Sequence, residues 1–290
     1  MQFLDLLFFK FIKMAIHFLR NSFTATFLLM TFVAQAQGDL LITPKRLVFD
    51  GSKRAEEINL ANIGKDTATY SISFMQFKMD ENGNFIAVSE EDSTQNFAHK
   101  NLRFFPRTVT LAPNEAQSVK VQLIRVNELL PGEYRSHLFF KNVLNKTALG
   151  EEPQEATKDS GISVNIKPVF GISIATIIRV GQTNVEGHFS NSRFIAGTKT
   201  DDASINFTLN RTGNISLYGD LKVSYIGTDN KSTQLTIMKG LAIYTPNAIR
   251  NVHLPLKNLP GIDYTQGKLL VEFTNPSAKN DIICKTEIVF

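Results

Sequence analysis

The sequence predicts an all-β chain folded as two successive β-sandwiches, and three observations carry that prediction. Short runs with apolar residues at every second position recur from Leu40 to the C-terminus. Between Leu40 and Phe170 no stretch has convincing helical spacing. Gly, Asn, Asp, Pro or Ser bounds most runs, as turns between short strands require. The chain has 290 residues, 43% of them hydrophobic and 20% charged, enough for two domains that each bury a core.

The N-terminus predicts export. From Met14 the chain carries His17 and Arg20, then an apolar run from Phe23 to Val33, then Ala34-Gln35-Ala36 with small residues where a signal peptidase cuts. Residues 1–36 therefore read as a signal peptide cleaved after Ala36, with translation starting at Met1 or Met14. The apolar run is about half of the roughly 20 residues that span a bilayer. Cys284 is the only cysteine, so no internal disulfide can form and packing must hold the fold; within its apolar stretch it reads as an inert buried thiol.

The first domain, 37–168, opens with LLITPKRLVF at Leu40 to Phe49, interrupted by Pro44 as an edge strand allows. Asp50-Gly51 turns the chain, and alternation resumes through Ile58 and Leu60, then Tyr70, Ile72 and Phe74. The Asp80 to Gly83 turn leads to Phe85–Val88. Leu102 to Leu111 contains Phe104-Phe105-Pro106, and Ala112-Pro113-Asn114-Glu115 turns into Val119, Val121 and Leu123. Leu130-Pro131-Gly132 precedes Tyr134 to Val143. After a polar run, Leu144 to Lys158, comes SGISVNIKPVF at Ser160 to Phe170, with Ile162, Val164 and Ile166 on one face and Lys167 at the end. Seven short strand candidates at this spacing are the pattern of an immunoglobulin-like sandwich.

The second domain, 169–290, restarts the pattern with Ile172–Val180, Ser204–Leu209, Tyr218–Ile226, Gln234–Met238, Val252–Leu256, Lys268–Phe273 and Ile282–Val289. The join, Lys167 to Ile174, is short, which predicts a fixed angle and a cleft between the sandwiches.

Chemistry has little purchase here. The five histidines are scattered and none pairs with Cys, Asp or Glu at ligand spacing. No G-x-S-x-G elbow, P-loop or G-x-G-x-x-G is present. Glu90-Glu91-Asp92 and Glu151-Glu152 lie in polar stretches and read as solvated surface. The net charge of +4, part of it from Lys10, Lys13 and Arg20 in the leader, is too small to argue for nucleic acid. The expectation is a protein that is not an enzyme, with no metal, no cofactor, no nucleic acid and no small-molecule substrate.

Several segments, in order, resemble one family. Pro44-Lys45-Arg46-Leu47-Val48-Phe49-Asp50-Gly51 followed by Ile58-Asn59-Leu60-Ala61-Asn62 is similar to the opening of the periplasmic chaperones that assemble pili by the chaperone–usher route. Phe104-Phe105-Pro106-Arg107 with Leu111-Ala112-Pro113 resembles that family's proline-containing strand and turn. Leu130 to Ser136 with Phe139-Phe140 resembles its next-to-last strand, and Ile166-Lys167 with Phe170 the end of its last. The match covers about 41–170, and the second half more loosely, at Asn210-Arg211-Thr212 and Ile262-Asp263-Tyr264.

The resemblance implies a boomerang of two immunoglobulin-like domains and donor-strand complementation. A fibre subunit is a sandwich lacking a strand, and the chaperone fills the groove with its own edge strand. On this analogy Ile162, Val164 and Ile166 enter the groove of a pilin or fimbrial subunit, while Arg46 and Lys167 grip its terminal carboxylate in the cleft; an outer-membrane usher would then receive the subunit. The analogy also places Gly171 and Arg135 where the family has the arginine and glutamate of an interdomain salt-bridge network, so that network is expected to be broken, with Asp263 alone kept. Ser160 and Lys158 continue the donor face without apolar side chains, which predicts a short donor strand. The competing reading is an exported structural or adhesive surface protein of two sandwiches without chaperone activity. An exported glycan-active enzyme, the third reading, needs two convergent carboxylates.

Overall fold

The computed structural model describes residues 40–88, 92–143, 171–198, 202–257, 259, 261–276 and 281–290. The expected leader, 1–36, and the expected donor strand with Ile162, Val164, Ile166 and Lys167 lie outside the described residues.

The first sandwich is built from β1 (Leu40–Thr43), β2 (Arg46–Phe49), β3 (Ala55–Asn62), β4 (Ala68–Met75), β5 (Phe77–Met79), β6 (Phe85–Ala87), β7 (Leu102–Phe105), β8 (Thr108–Leu111), β9 (Ala116–Leu123), β10 (Gly132–Val143) and β11 (Gly171–Val180). One sheet runs β1-β3-β9-β7 and the other β2-β11-β10-β4-β8, while β5 and β6 form a separate hairpin. This is the immunoglobulin arrangement, with two strands that change sheets. Pro44 separates β1 from β2, and Pro106 separates β7 from β8. Each proline removes an N–H from the ladder at the point where the chain leaves one sheet for the other.

Alternation in sequence becomes alternation in burial. In β3, Ile58 and Leu60 are wholly buried, and across the core lie Phe49, Leu111, Leu138, Phe140 and Ile178. Asn62 is the polar exception at the end of β3. Its amide nitrogen donates to the Asp66 carbonyl (2.8 Å) and the Leu111 carbonyl (3.0 Å), and its oxygen accepts from the Gly64 N–H (2.9 Å). All the hydrogen-bonding capacity shown there is spent on backbone, so a buried amide becomes a brace for the turn after β3.

The strand expected to open the second domain belongs to the first. β11 pairs antiparallel with β10 from Gly132↔Val180 to Lys141↔Gly171, and parallel with β2 over Ala175–Ile178. Its Ile174, Ile177 and Ile178 are buried, Ile174 and Ile178 within the first core. The expected boundary at 168 goes with the resemblance that ends the last strand of the domain at Ile166-Lys167 and Phe170. The unbroken run ISIATIIRV after it nonetheless has a long partner in β10. The chain crosses to the second sandwich at 181–184.

That crossing is tied down. Asn184 N–H donates to the Asn214 side-chain oxygen (2.8 Å), and the Asn214 amide donates to the Gln182 carbonyl (2.8 Å). Gly213 sits beside it at φ +96°, where a β-carbon would come within 2.2 Å of the Asn184 carbonyl oxygen, so both the conformation and the space call for glycine.

The second sandwich comprises β12 (Val185–Ile195), β13 (Ser204–Gly213), β14 (Leu217–Ile226), β15 (Ser232–Ile243), β16 (Ile249–Pro255), β17 (Lys268–Thr274) and β18 (Ile282–Val289). Its sheets are β12-β13-β16 and β15-β14-β17-β18. Between them lie Ile205, Leu209, Leu217, Leu221, Val223, Leu269, Val271 and Phe273, all buried. β12 was not foreseen, because its alternation is broken by a bulge between Ser190 and Arg193 and its Val185, Phe189 and Phe194 are only partly buried.

The placement of β11 has a direct consequence. A fragment of residues 37–168 lacks three buried isoleucines and the partner of β10, and is expected to show no cooperative urea transition by near-ultraviolet circular dichroism. A fragment of residues 37–184 is expected to unfold cooperatively; equal behaviour of the two would contradict the assignment.

Candidate functional site at the junction of the sandwiches

Where the two sandwiches meet, the first contributes the outward face of β10 and β11 and the β5–β6 hairpin. On β10, Glu133, Arg135 and His137 share that face, and on β11 Ala175, Ile177 and Arg179 lie opposite them. An apolar seam forms from Met79, Ala175, Ile177, Ala242 and Tyr244, with Val48 and Tyr218 packed on it.

Glu133 is the charged centre of this junction, its side chain wholly removed from solvent. Its carboxylate accepts from Arg179 Nε (3.0 Å), from the backbone N–H of Ser216 (3.1 Å), from the Ser216 hydroxyl and, more weakly, from Thr245 Oγ1 (3.4 Å). One strand of the first sandwich thus reaches two loops of the second. A buried carboxylate is tolerated only when paired and hydrogen-bonded, and each partner here meets that demand.

Arg211 holds those two loops in place. Buried, it donates from Nη1 to the carbonyls of Gly213 (2.8 Å) and Ile215 (3.0 Å), and from Nε to Asn247 (2.8 Å). Burial lowers its pKa, an effect that the Glu133 charge opposes. The guanidinium fork joins the start of β14, which carries Ser216 before it, to the turn that carries Thr245.

The hairpin supplies a second grip. The Asn247 amide donates to the Met79 carbonyl (2.7 Å) and the Asn251 N–H to the Glu81 carbonyl (2.7 Å). Arg135 lies over the Tyr244 ring (4.2 Å to the centroid) and donates to the Phe77 carbonyl (3.0 Å). Burial pushes its pKa down to about 10, against the opposing pull of Tyr244 and Glu133. His137 is enclosed by the edges of Phe77, Phe85 and Tyr244. Burial, reinforced by the Arg135 charge, pushes its imidazole down to about 3, so it is neutral at physiological pH.

Beside the junction a cavity of about 460 Å³ opens between the sandwiches. Val48, Val185, Ile215, Leu217 and Ile283 give it apolar walls, and Arg46 and Arg179 supply cations. Arg46 lies at the start of β2 with its guanidinium 3.9 Å from the centroid of the Tyr218 ring, and its Nε is buried without a hydrogen-bond partner. Arg179 is engaged by Glu133, whereas Arg46 meets no carboxylate among the described residues. A half-apolar pocket with an unpaired guanidinium is chemically suited to an anion on an apolar chain end.

Of the expected site residues, Arg46 therefore lies in the cleft. Lys167, Ile162, Val164 and Ile166 fall outside the described residues, and the β11 residue opposite Arg46 is Ala175. The Glu133–Arg179 pair joins β10 to β11 within the first sandwich, so it is not an ion pair between the sandwiches; what crosses is the set of hydrogen bonds from Ser216 and Thr245 to Glu133. Asp263 is not part of it: exposed, it accepts from Thr265 N–H (2.9 Å) and the Thr265 hydroxyl (2.7 Å) in a local turn. Ser216 and Thr245 were invisible to sequence reading, because hydroxyls in turns carry no signal of their partner.

Among the described residues no helix is long and apolar enough to cross a membrane, and no three of His, Cys, Asp and Glu are grouped to hold a metal. Cys284 is half-buried against the second core, and burial pushes its thiol up to about 11, which suppresses the thiolate at neutral pH.

No protein-family model and no curated protein sequence matches the chain. Similar solved structures include the CupB2 chaperone of Pseudomonas aeruginosa, at 11% identity over 85% of this chain and 97% of that one with a TM-score of 0.42. The CsuC–CsuE chaperone–tip adhesion subunit pre-assembly complex of Acinetobacter baumannii is similar at 12% identity, 87% and 99% coverage and a TM-score of 0.41. The Salmonella enterica SafA pilin–SafB chaperone complex is similar at 12% identity, 89% and 99% coverage and a TM-score of 0.41. At these values the architecture rests on the chain's own strand pairing.

Two outcomes test the junction. Glu133→Ala should lower stability in urea by about 3–5 kcal/mol, because it removes the partner of a part-buried arginine and strands three donors. For His137 the folded pKa lies below the unfolded value, so only the unfolded chain takes up the proton. Stability is then full above about pH 6.5 and falls as the pH drops toward 3, by up to roughly 1.4 kcal/mol per unit. In His137→Phe that part of the slope should vanish; an unchanged slope would show that His137 is not held neutral.

Proposed function

We propose that this chain is a periplasmic chaperone that caps pilus or fimbrial subunits by lending them an edge strand, and that it passes them to an outer-membrane usher. The observation that carries the reading is the conjunction at β2 and β11 of a guanidinium and a strand edge that both lack a partner among the described residues. Arg46 faces the cleft between the sandwiches. Beside it, β11 pairs with β2 only over Ala175–Ile178, so among the described residues Gly171–Ser173 has no neighbour on that edge. Gly171, Ile172 and Ser173 are exposed. An exposed edge is a template for a further strand, and a chaperone turns that hazard into its mode of recognition.

In this reading Arg46, with Lys167 as the second cation, anchors the terminal carboxylate of the subunit. Ile162, Val164 and Ile166 precede the open edge in the chain, and their period of two matches Ile172 and Ile174. They are the side chains that would enter the subunit groove, while backbone hydrogen bonds supply affinity. Complementation requires no bond-making chemistry, so the protein acts as a binder rather than an enzyme. Export by the leader would place it in the periplasm with its clients.

The test is a pull-down from the exported fraction, comparing the natural protein with Arg46→Ala/Lys167→Ala and Val164→Asp variants. A client with an incomplete sandwich and an apolar terminal strand should co-purify with the natural protein, and recovery should fall at least tenfold in each variant. The same partners recovered equally by all three would contradict the reading and favour a structural or adhesive role.

A further inference from the structure

The second sandwich carries a groove of about 850 Å³ that the capture of a subunit does not use. It lies on the outward face of β12-β13-β16, where the bulge between Ser190 and Arg193 throws Asn191, Ser192 and Arg193 together and Asn191 takes φ 53°. Asn82, from the β5–β6 hairpin of the first sandwich, also lines it.

The chemistry of the lining is narrow. Its described residues are four asparagines, a serine, a threonine, a histidine and one arginine, with no lysine and no carboxylate among them; Phe207 and Val252, its apolar members, have their side chains buried. The polar side chains are ordered by contacts with each other. Asn206 Oδ1 meets His253 Nδ1 (2.6 Å), and the Thr208 hydroxyl donates to Asn251 Oδ1 (3.0 Å) across β13 and β16. Ser192 Oγ is buried without a partner. The array offers both donors and acceptors, already held in place, in a volume typical of small-molecule sites, roughly 300–1,000 Å³.

We propose that this groove binds a short neutral oligosaccharide. A sugar presents closely spaced hydroxyls that both donate and accept, which is what neighbouring amides and hydroxyls satisfy. A single arginine is too little cation for a nucleic acid backbone. Without apolar pockets the groove gives a peptide side chain nothing to enter. The described lining holds no carboxylate pair of the kind that cleaves a glycosidic bond, so the proposal is one of binding. The inference is independent of the chaperone reading.

The test is an amide NMR titration of the mature chain with three soluble probes: maltohexaose, the β-1,4 hexamer of N-acetylglucosamine, and mannohexaose. At least one should give saturable shifts confined to the bulge of β12 and to β13 and β16, with a dissociation constant on the order of a millimolar. Both Asn206→Ala/Asn251→Ala and the separate Arg193→Ala variant, whose side chains are outside the core, should weaken that binding at least fivefold while leaving the spectrum elsewhere unchanged. The proposal is overturned if no probe shifts the groove at tens of millimolar, if shifts are the same in every folded variant, or if a control peptide of alternating valine and threonine occupies the groove and the sugars do not.

Discussion

A buried carboxylate constrains this structure more than any other group. Glu133 has no access to water, so its charge has to be met by donors, and those donors come from both sandwiches: Arg179 from the same sheet, Ser216 and Thr245 from loops of the other. An ion pair of this kind is poor evidence of net stabilisation, since desolvation offsets much of the attraction. What it provides is geometry. The sandwiches cannot separate at this point without leaving a charge stranded, and Arg211 keeps the receiving loops where the acid needs them.

The cleft follows from that constraint. With Glu133 holding Arg179, the second arginine of the cavity, Arg46, is left over Tyr218 without an anionic partner among the described residues. An aromatic face can position a guanidinium without neutralising it, so the cation stays available to a ligand. The hairpin with Phe85, the ring of Tyr244 and the neutral imidazole of His137 close the other side of the junction with apolar contact. Charge at one edge and aromatic packing at the other therefore fix how the cleft is presented.

Much of the fold was legible in the sequence because strands announce themselves by alternation. Ile58 and Leu60, or Leu221 and Val223, alternate in the chain and in the core alike. Two elements escaped for identifiable reasons. β11 is split from its sandwich in the sequence because the resemblance ends the last strand near Phe170 and pairing with β10 is non-local, which no window of sequence reports. β12 was missed because a bulge slips its period and its apolar residues are only partly buried or exposed. The site was less legible than the fold. Arg46 could be singled out from motif order, but Glu133 could not, since Glu133 and Arg135 point the same way from β10, are both buried, and differ only in partners that the sequence does not show. The hydroxyl partners of Glu133 are ordinary turn residues, known by position alone.

The central proposal is that Arg46, which has no anionic partner among the described residues, offers its guanidinium to a chain-terminal carboxylate. It is tested most directly by titrating the mature protein with two forms of one peptide, an apolar strand-forming sequence ending in a free carboxylate and the same sequence amidated at its C-terminus. The account predicts that the free acid binds at least tenfold more tightly and that this preference disappears in Arg46→Ala while the affinity for the amide stays the same. Equal affinities for the two peptides in the natural protein, or a preference that survives in Arg46→Ala, would contradict it.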